Sequence, residues 1–480
     1  MPDHPAEPWR IKMVEPIRAV TRDQRERALR AAGWNPCLLR SEDVYIDLFT
    51  DSGTNAMSDR QWSALMRGDE AYAGAQSFYV FEQAVRAHYG YEHVIPVHQG
   101  RGGENILSRC LIRPGAHIPG NMYFPSTRAH QELNGATFHD VIIDEAHEAG
   151  GGHPFKGNVD LDKLRAVIAE HGADAIPYVS LAATVNMAGG QPISVANLAE
   201  TCALAHANGI PVFLDTARAV ENAWFVQQRE PGWADRSIAD ILLALCAPTD
   251  GAVMSAKKDC LANIGGWIAL RDPGLAEQAR GLVLLYEGLH TYGGMAGRDM
   301  EAIAQGIAES VDERHIRARI AQVEYLGHRL DAAGVPIVHP VGGHCVCIDA
   351  TAVLAHLPRT ALPGQTLAAA VYLDGGIRGV ERGTVSAGRD PATGENRYPA
   401  LEFLRLAIPR RVYTQSHLDH VADTVIGVHR RRADITHGLT FVHEPPHLRF
   451  FQAHFAPTSG ASIYGDRRPA AGRENGVARP

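Results

Sequence analysis

Between about residues 56 and 310, short runs of aliphatic and β-branched residues alternate with longer segments whose apolar positions recur at helical spacing. The short runs are HVIPVHQG, AHIPGNMYF, VIIDEAH, DAIPYVSLAATVN, IPVFLDTARAV and DGAVMSAKK. Between them lie patterns such as LDKLRAVIAEHG and ISVANLAETCALAHANG. Strand and helix in alternation predict βαβ units and a mostly parallel sheet, an α/β fold. In such sheets the reactive groups collect at the carboxyl ends of the strands. The helical pattern HIRARIAQVEYLGHRLDAAG then opens a second region, about 315–440, in which GVPIVHPVGGHCVCIDA reads as a strand, a glycine turn and another strand. The expected division is an arm with part of the small domain (1–56), a large domain (57–312), a smaller α/β domain (313–455) and a tail (456–480). The tail is rich in Gly, Pro, Ala and Arg without any period, which predicts disorder. No internal repeat is present.

Composition narrows the classes. A chain of 480 residues, 45% hydrophobic, can fill two cores. A net charge of −8 offers no basic face to nucleic acid, and no block of like charge suggests a membrane surface. No run of about 18 apolar residues occurs, so no membrane span is expected. The start, MPDHPAEPWRIKMVEP, has acids and prolines where a signal peptide needs a positive start and an apolar run, and a cytoplasmic protein is expected. The seven cysteines are scattered through apolar contexts, and the single C-x-C pair lacks the second pair of a zinc site. Reduced thiols are the expectation.

Three strand ends carry candidate chemistry. In VHQGRGGEN, Gln99, Gly100, Arg101, Gly102 and Gly103 stand between a strand and a helix, where free N–H groups and the helix dipole favour an anion such as phosphate. A glycine-rich turn alone is more often only a turn. In VFLDTARAVEN, Asp215 ends an apolar strand, where a carboxylate needs a cation; a helix cap or a salt bridge to Arg218 would also explain it. About forty residues later MSAKKDCLANIGGW places Ser255, Lys257 and Lys258 at another strand end. A lysine with a depressed pKa there becomes a nucleophilic amine able to form a Schiff base. A phosphate cradle, a buried acid and a strand-end lysine are the three contacts pyridoxal phosphate requires. Their order resembles the large domain of the fold-type I, aspartate-aminotransferase-like enzymes.

The resemblance sharpens in longer blocks: DLFTDSGTNAMSDRQW, GDEAYAG, PVHQGRGGEN, NMYFPSTRAHQELNGATF, TVNMAGGQPIS, DTARAVENAWF, SAKKDCLANIGG, YEGLHTYGGMAGRDMEA, LDGGIRGVERGTVSAGRD and LRLAIPRRVYT. From PAEPWRIK to LRFFQAHF the chain resembles the β-eliminating lyases, which cleave aromatic amino acids. The resemblance implies pyridoxal 5′-phosphate on Lys258, with Lys257 near the phosphate and favouring the neutral form of the reactive amine. It also implies Asp215 on the pyridinium nitrogen, Phe124 over the ring, and phosphate contacts from Gln99, Gly100, Arg101 and Ser255. Asn186 and Arg218 would lie near the ring hydroxyl. Phe124 could equally be an ordinary core aromatic. Arg405 would clamp the substrate carboxylate, with Thr50, Ser52 and Asn186 adding hydrogen bonds, and Phe450 would join the substrate contacts. Lys258 would take the Cα proton, and Tyr72 would be the acid that protonates the leaving carbon. Tyr72 could also be a packed loop residue. Gly53, Glu70 and Asn263 match a monovalent-cation site expected to hold potassium. The family is typically tetrameric, and its fold type usually builds the site across a dimer; a homotetramer acting on a small amino acid is therefore expected.

The ring pocket bears on the substrate. Arg382, in GVERG, matches the arginine that tyrosine-cleaving members place near the phenolic oxygen; tryptophan-cleaving members carry an aliphatic residue there. L-Tyrosine, or a ring-substituted tyrosine, is the expected substrate, giving a phenol, pyruvate and ammonium reversibly. Against this, Pro125 stands where tyrosine-cleaving members have a threonine. Cys37 replaces a phenylalanine, and Leu289 and Val380 each replace a methionine. Cys37 and Val380 remove volume and predict a wider pocket. The alternatives are a tryptophan-cleaving member, a lyase of simpler β-substituted alanines, or a catalytically silent scaffold, which would be expected to have lost the lysine, the acid or the clamp.

Overall fold

The computed structural model describes residues 5–464. Strand β1 (Ile46–Asp47) belongs to the N-terminal arm. Seven strands build the principal sheet: β2 (His93–Val97), β3 (His117–Gly120), β4 (Thr137–Asp140), β5 (Val179–Ala182), β6 (Val212–Asp215), β7 (Gly251–Ser255) and β8 (Gly266–Leu270). Their order is β2-β8-β7-β6-β5-β3-β4, parallel except where β8 runs against both neighbours. Helices cover both faces, so the strands read as nearly continuous apolar runs. Val94, Ile95 and Val97 of β2 are buried, as is every residue of β8.

A second region follows the helix Glu313–Ala332. It contains β9 (Cys345–Asp349), β10 (Ile377–Arg378), β11 (Val380–Arg382) and β12 (Phe403–Ala407), and it closes with β13 (Leu439–His443) and β14 (His454–Pro457). Strands β11-β12-β9 form an antiparallel sheet, β13 pairs with β14, and β1 pairs in parallel with β10. The arm therefore adds Leu29, Ile46 and Leu48 to the second region's core. The helix Glu313–Ala332 joins the two cores. Its first half puts Ile316 and Ile320 into the core under the large sheet, and its second half puts Val323, Leu326 and Leu330 into the other. Each of these side chains, fully buried, contributes about 1.5–3 kcal/mol.

Three expectations need correction. The run VIIDEAH is not a strand. The sheet strand is the preceding Thr137–Asp140, where Asp140 Oδ1 accepts from the N–H of Met122 and of Ile142, both at 3.1 Å, and turns the chain out of the sheet. Residues Asp144–His147 form a single 3₁₀ turn. Second, β8 has no counterpart among the runs above, because a five-residue apolar segment buried on both faces shows no period. It makes β7 and β8 an antiparallel pair, with the two lysines in the connection. Third, the chain keeps regular contacts past Phe455 as far as Tyr464. β14 continues to Pro457, Ile463 and Tyr464 are buried, and the Ile463 carbonyl accepts from His437 N at 3.1 Å. The rest of the expected tail, 465–480, lies outside the described residues.

Candidate active site

A cleft opens where β3, β5, β6 and β7 end, closed on the other side by the arm and the second region. Its lining includes Thr50, Ser52, Gln99, Gly100, Arg101, Phe124, Asn186, Asp215, Arg218, Ser255, Lys257, Lys258, Arg382, Arg405 and Phe450, all expected from the sequence. Chain topology explains the gathering, since each parallel strand delivers the residues after its last hydrogen-bonded pair to the same edge.

Lys257 and Lys258 follow Ser255, the last residue of β7, and the arm pins their turn. The Lys257 carbonyl accepts from Gly53 N at 2.8 Å and from Asn55 Nδ2 at 2.7 Å. The Lys258 amine is lowered to about 8, chiefly by burial and then by the Arg218 guanidinium; Asp215, Asp51 and Glu104 oppose the shift. The cation expected to act on Lys258 was Lys257. Lys257 instead points to Gln99, its Nζ 2.9 Å from Oε1.

Asp215 ends β6, and its Oδ1 accepts from Ala217 N at 2.9 Å. It has no salt bridge to Arg218. That guanidinium grips Asp51 through two bonds of 3.0 and 2.7 Å. Asp51 also receives Arg410 Nη1 at 2.9 Å, and Arg410 reaches Glu221 at 2.6 Å and Asp259 at 2.8 Å. Burial works against the Asp51 charge, yet Arg218, His344 and Arg410 together hold its carboxyl well below the usual carboxylate range. This buried network underlies the cleft, and no local motif marks it.

The first turn of the helix Gly100–Leu111 faces the cleft without a capping side chain from Gln99. A Cβ at Gly100 would stand 2.9 Å from the Ser255 Cβ, so only glycine lets this helix end approach β7 so closely. Uncapped N–H groups beside Arg101, Ser255 and Lys257 suit a phosphate. Glu104, one turn along, also lines the cleft. Burial, then the neighbouring Asp215, raises its pKa, and it accepts from Ser126 at 2.7 Å and Thr127 at 2.9 Å. Asp51, Asn55, Glu104 and Arg410 were not singled out from the sequence, although all four stand inside blocks quoted above.

On the other wall Arg405, from β12, is 3% exposed. Its Nη1 donates to Asn186 Oδ1 at 2.8 Å and its Nη2 to the Phe49 carbonyl at 3.0 Å, while Nε has no partner. Arg382, 5% exposed, donates to the Glu381 carbonyl at 3.1 Å and lies over the Phe450 ring at 4.9 Å; its Nε is also unpartnered. Burial, then the like charge of Arg405, lowers Arg382 to about 9. Guanidinium groups keep their proton at neutral pH, so two of them without a carboxylate favour an incoming anion.

Two expected residues are not brought in. Tyr72 is 73% exposed, beside Tyr292 with ring centroids 5.5 Å apart, and does not line this cleft. Glu70 pairs with Arg298 at 3.0 Å on the surface, away from Gly53 and Asn263, which do meet: Asn263 Nδ2 donates to Gly53 O at 3.1 Å. Of the four ring-pocket replacements only Pro125 lines the cleft. Val380 is buried in the second core with Cys37 packed against it, and the Cys37 thiol is pushed up to about 12 by burial. Leu289 stands in a loop outside the lining, so this single-chain cleft gives no sign of the expected widening. All seven cysteines are free thiols, and no described helix is long and apolar enough to cross a membrane.

Comparison with known proteins completes the picture. The family model described as beta-eliminating lyase matches residues 47–424. A tyrosine phenol-lyase of Intrasporangium calvum is 60% identical over 97% of this chain and 98% of its own, and one of Nostoc punctiforme is 60% identical over 94% and 96%. The tyrosine phenol-lyase of Pasteurella multocida is 57% identical over 95% and 100%. Among solved structures, histidinol-phosphate aminotransferase of Sinorhizobium meliloti in complex with pyridoxal-5′-phosphate superposes with a TM-score of 0.57 at 16% identity, covering 85% of this chain and 95% of that one. Serine palmitoyltransferase of Sphingomonas wittichii gives 0.55 at 16%, covering 81% and 88%. At such identities these two show the fold alone, which is fold-type I.

Proposed function

Because the chain belongs to the β-eliminating lyase family, we propose that it cleaves L-tyrosine to phenol, pyruvate and ammonium with pyridoxal 5′-phosphate as cofactor. Curated relatives that carry the name tyrosine phenol-lyase at 52–60% identity support the substrate. The observation that carries the reading is Arg405. It is a buried guanidinium with a free Nε and no salt bridge among the described residues, and it lines the same cleft as Lys258. An α-amino acid needs such a carboxylate clamp and an amine base at once.

Bound pyridoxal phosphate supplies a ring that accepts the electron pair left on Cα. Gln99, Gly100, Arg101, Ser255 and Lys257 would hold its phosphate, Asp215 would keep its ring nitrogen protonated, and Phe124 would cover one face. Asn186 and Arg218 would stand near the ring hydroxyl. Arg405 binds the substrate carboxylate with Thr50, Ser52 and Asn186, which fixes the direction of the Cα–H bond. Lys258, whose pKa near 8 leaves a large neutral fraction at mildly alkaline pH, takes that proton. Arg382 pairs with the phenolic oxygen beside Phe450. Tyr72 delivers the proton that the departing aryl carbon requires, reaching the cleft of a second copy in a homotetramer. Its exposure supports that placement, as does that of Met66 (88%) and Leu285 (74%), apolar side chains that an assembly would cover. Glu70 would complete, from the same neighbour, a potassium site begun by Gly53 and Asn263. With seven free thiols, the enzyme fits the reducing cytoplasm.

The test is product analysis of the protein supplied with cofactor and potassium. Phenol and pyruvate in equal amounts from L-tyrosine are expected; faster release of indole from L-tryptophan would overturn the substrate.

A further inference from the structure

At the end of β3 away from the cleft, three histidines converge on the edge of the large sheet. His117 opens β3, His139 lies in the edge strand β4, and His171 is the last residue of the helix Leu161–His171. In the parallel register His117 faces Thr137, so His139, two residues further on, projects from the same face. His117 Nδ1 lies 2.8 Å from His139 Nε2. The His117 and His171 rings stack with centroids 3.7 Å apart, and the His139 and His171 centroids are 4.8 Å apart. One ring nitrogen from each histidine lies within 4.8 Å of the other two, and all three side chains are partly open to solvent.

We propose that this triad binds a divalent transition ion of the zinc class through three imidazole nitrogens. Imidazole is the ligand such ions prefer among side chains without sulfur. Metal–nitrogen bonds of 2.0–2.1 Å at a tetrahedral angle place ligand nitrogens about 3.4 Å apart, so the set closes when the His117–His171 stack opens and the in-plane lone pairs turn to one point. The His117–His139 hydrogen bond then gives way, and each ring carries its proton on the nitrogen turned from the ion. A carboxylate is at hand for the fourth position, since Glu170 Oε1 lies 3.8 Å from His171 Nε2. The carboxyl end of the helix Leu161–His171 adds its negative dipole, which favours a cation. Bound there, the ion ties edge strand β4 and a surface helix to β3, whose other end leads into the cleft at Met122–Phe124. Its part is to staple the sheet edge; it takes none in the elimination.

The experiment uses the holoenzyme stripped of stray metal by a chelator. Zn²⁺ is titrated calorimetrically and followed by thermal unfolding, and Cu²⁺ is examined by electron paramagnetic resonance. The expected result is one equivalent of Zn²⁺ per chain, a Zn²⁺-dependent rise in Tm, and copper hyperfine structure from nitrogen. His139→Gln and His171→Gln should each lose that equivalent and the Tm rise, and His420→Gln should keep both. Failure of the wild type to bind the equivalent would overturn the proposal. So would retention of the equivalent and Tm rise in His139→Gln and His171→Gln, or a copper signal without nitrogen coupling.

Discussion

The two ends of the cleft are built differently. The cofactor end, from Gln99 through Asp215 to Lys258, is lined by strand ends and by the first turn of the helix Gly100–Leu111, with the Asp51, Arg218 and Arg410 network beneath it. The ring end differs. Arg382 and Phe450 line it from the second region, whereas Tyr72, expected there, lies on the surface of the same chain. A rigid parallel sheet preorganises what every reaction of this fold needs. The residues expected to select the leaving group come instead from the second region and from a surface loop.

Substitutions can break this contrast, beginning with the largest effect. Lys258→Ala should lower phenol release from L-tyrosine by roughly 10⁴-fold, the upper range for losing a positioned base, with far-UV dichroism unchanged. Tyr72→Phe should lower phenol release by roughly 10³-fold. It should spare elimination from S-substituted cysteines, whose leaving groups need no proton; equal losses on both substrates would remove Tyr72 from the acid's role. Arg405→Ala should cost kcat/KM roughly 10²-fold, as for one partner of a charged hydrogen-bonded pair, and Arg405→Lys should recover little because the fork is lost.

The pH profile sharpens the cofactor end. Lys258 is lowered from its ordinary value to about 8, so its neutral, proton-accepting form predominates above that pH and is lost as pH falls through it. Exchange of the substrate Cα proton should therefore rise with pH and level off above about 8. The smallest effect belongs to the ring end. Pro125→Thr adds a hydroxyl to the cleft wall and should improve kcat/KM for L-tyrosine relative to L-tryptophan by about tenfold, within the 1–3 kcal/mol a single pocket group contributes.

The same contrast marks what the sequence discloses. Asp215 and Lys258 were legible because an apolar strand pattern ends on a reactive side chain, and period and chemistry coincide at one position. β8 was not legible, since GWIAL is buried on both faces and carries no period. The support beneath the cleft was hidden for another reason. Arg218 and Arg410 meet Asp51 across 167 and 359 positions of chain, and a pairing at that range leaves no local trace. Lys257 illustrates the limit of reading adjacency as contact. Next to Lys258 in sequence, it turns to Gln99, and Arg218 supplies the positive field instead. The triad at His117, His139 and His171 was invisible for want of a motif, since two neighbouring strands and a helix end contribute one ligand each.

In the proposed mechanism Lys258 removes the Cα proton at the cofactor end and Tyr72 acts later, on the ring. The most direct measurement is proton magnetic resonance of deuterium incorporation at Cα of L-tyrosine in D₂O, run on the wild type, Lys258→Ala and Tyr72→Phe. Exchange should persist in Tyr72→Phe as phenol release falls, and should vanish in Lys258→Ala. Exchange at the wild-type rate in Lys258→Ala would contradict the claim.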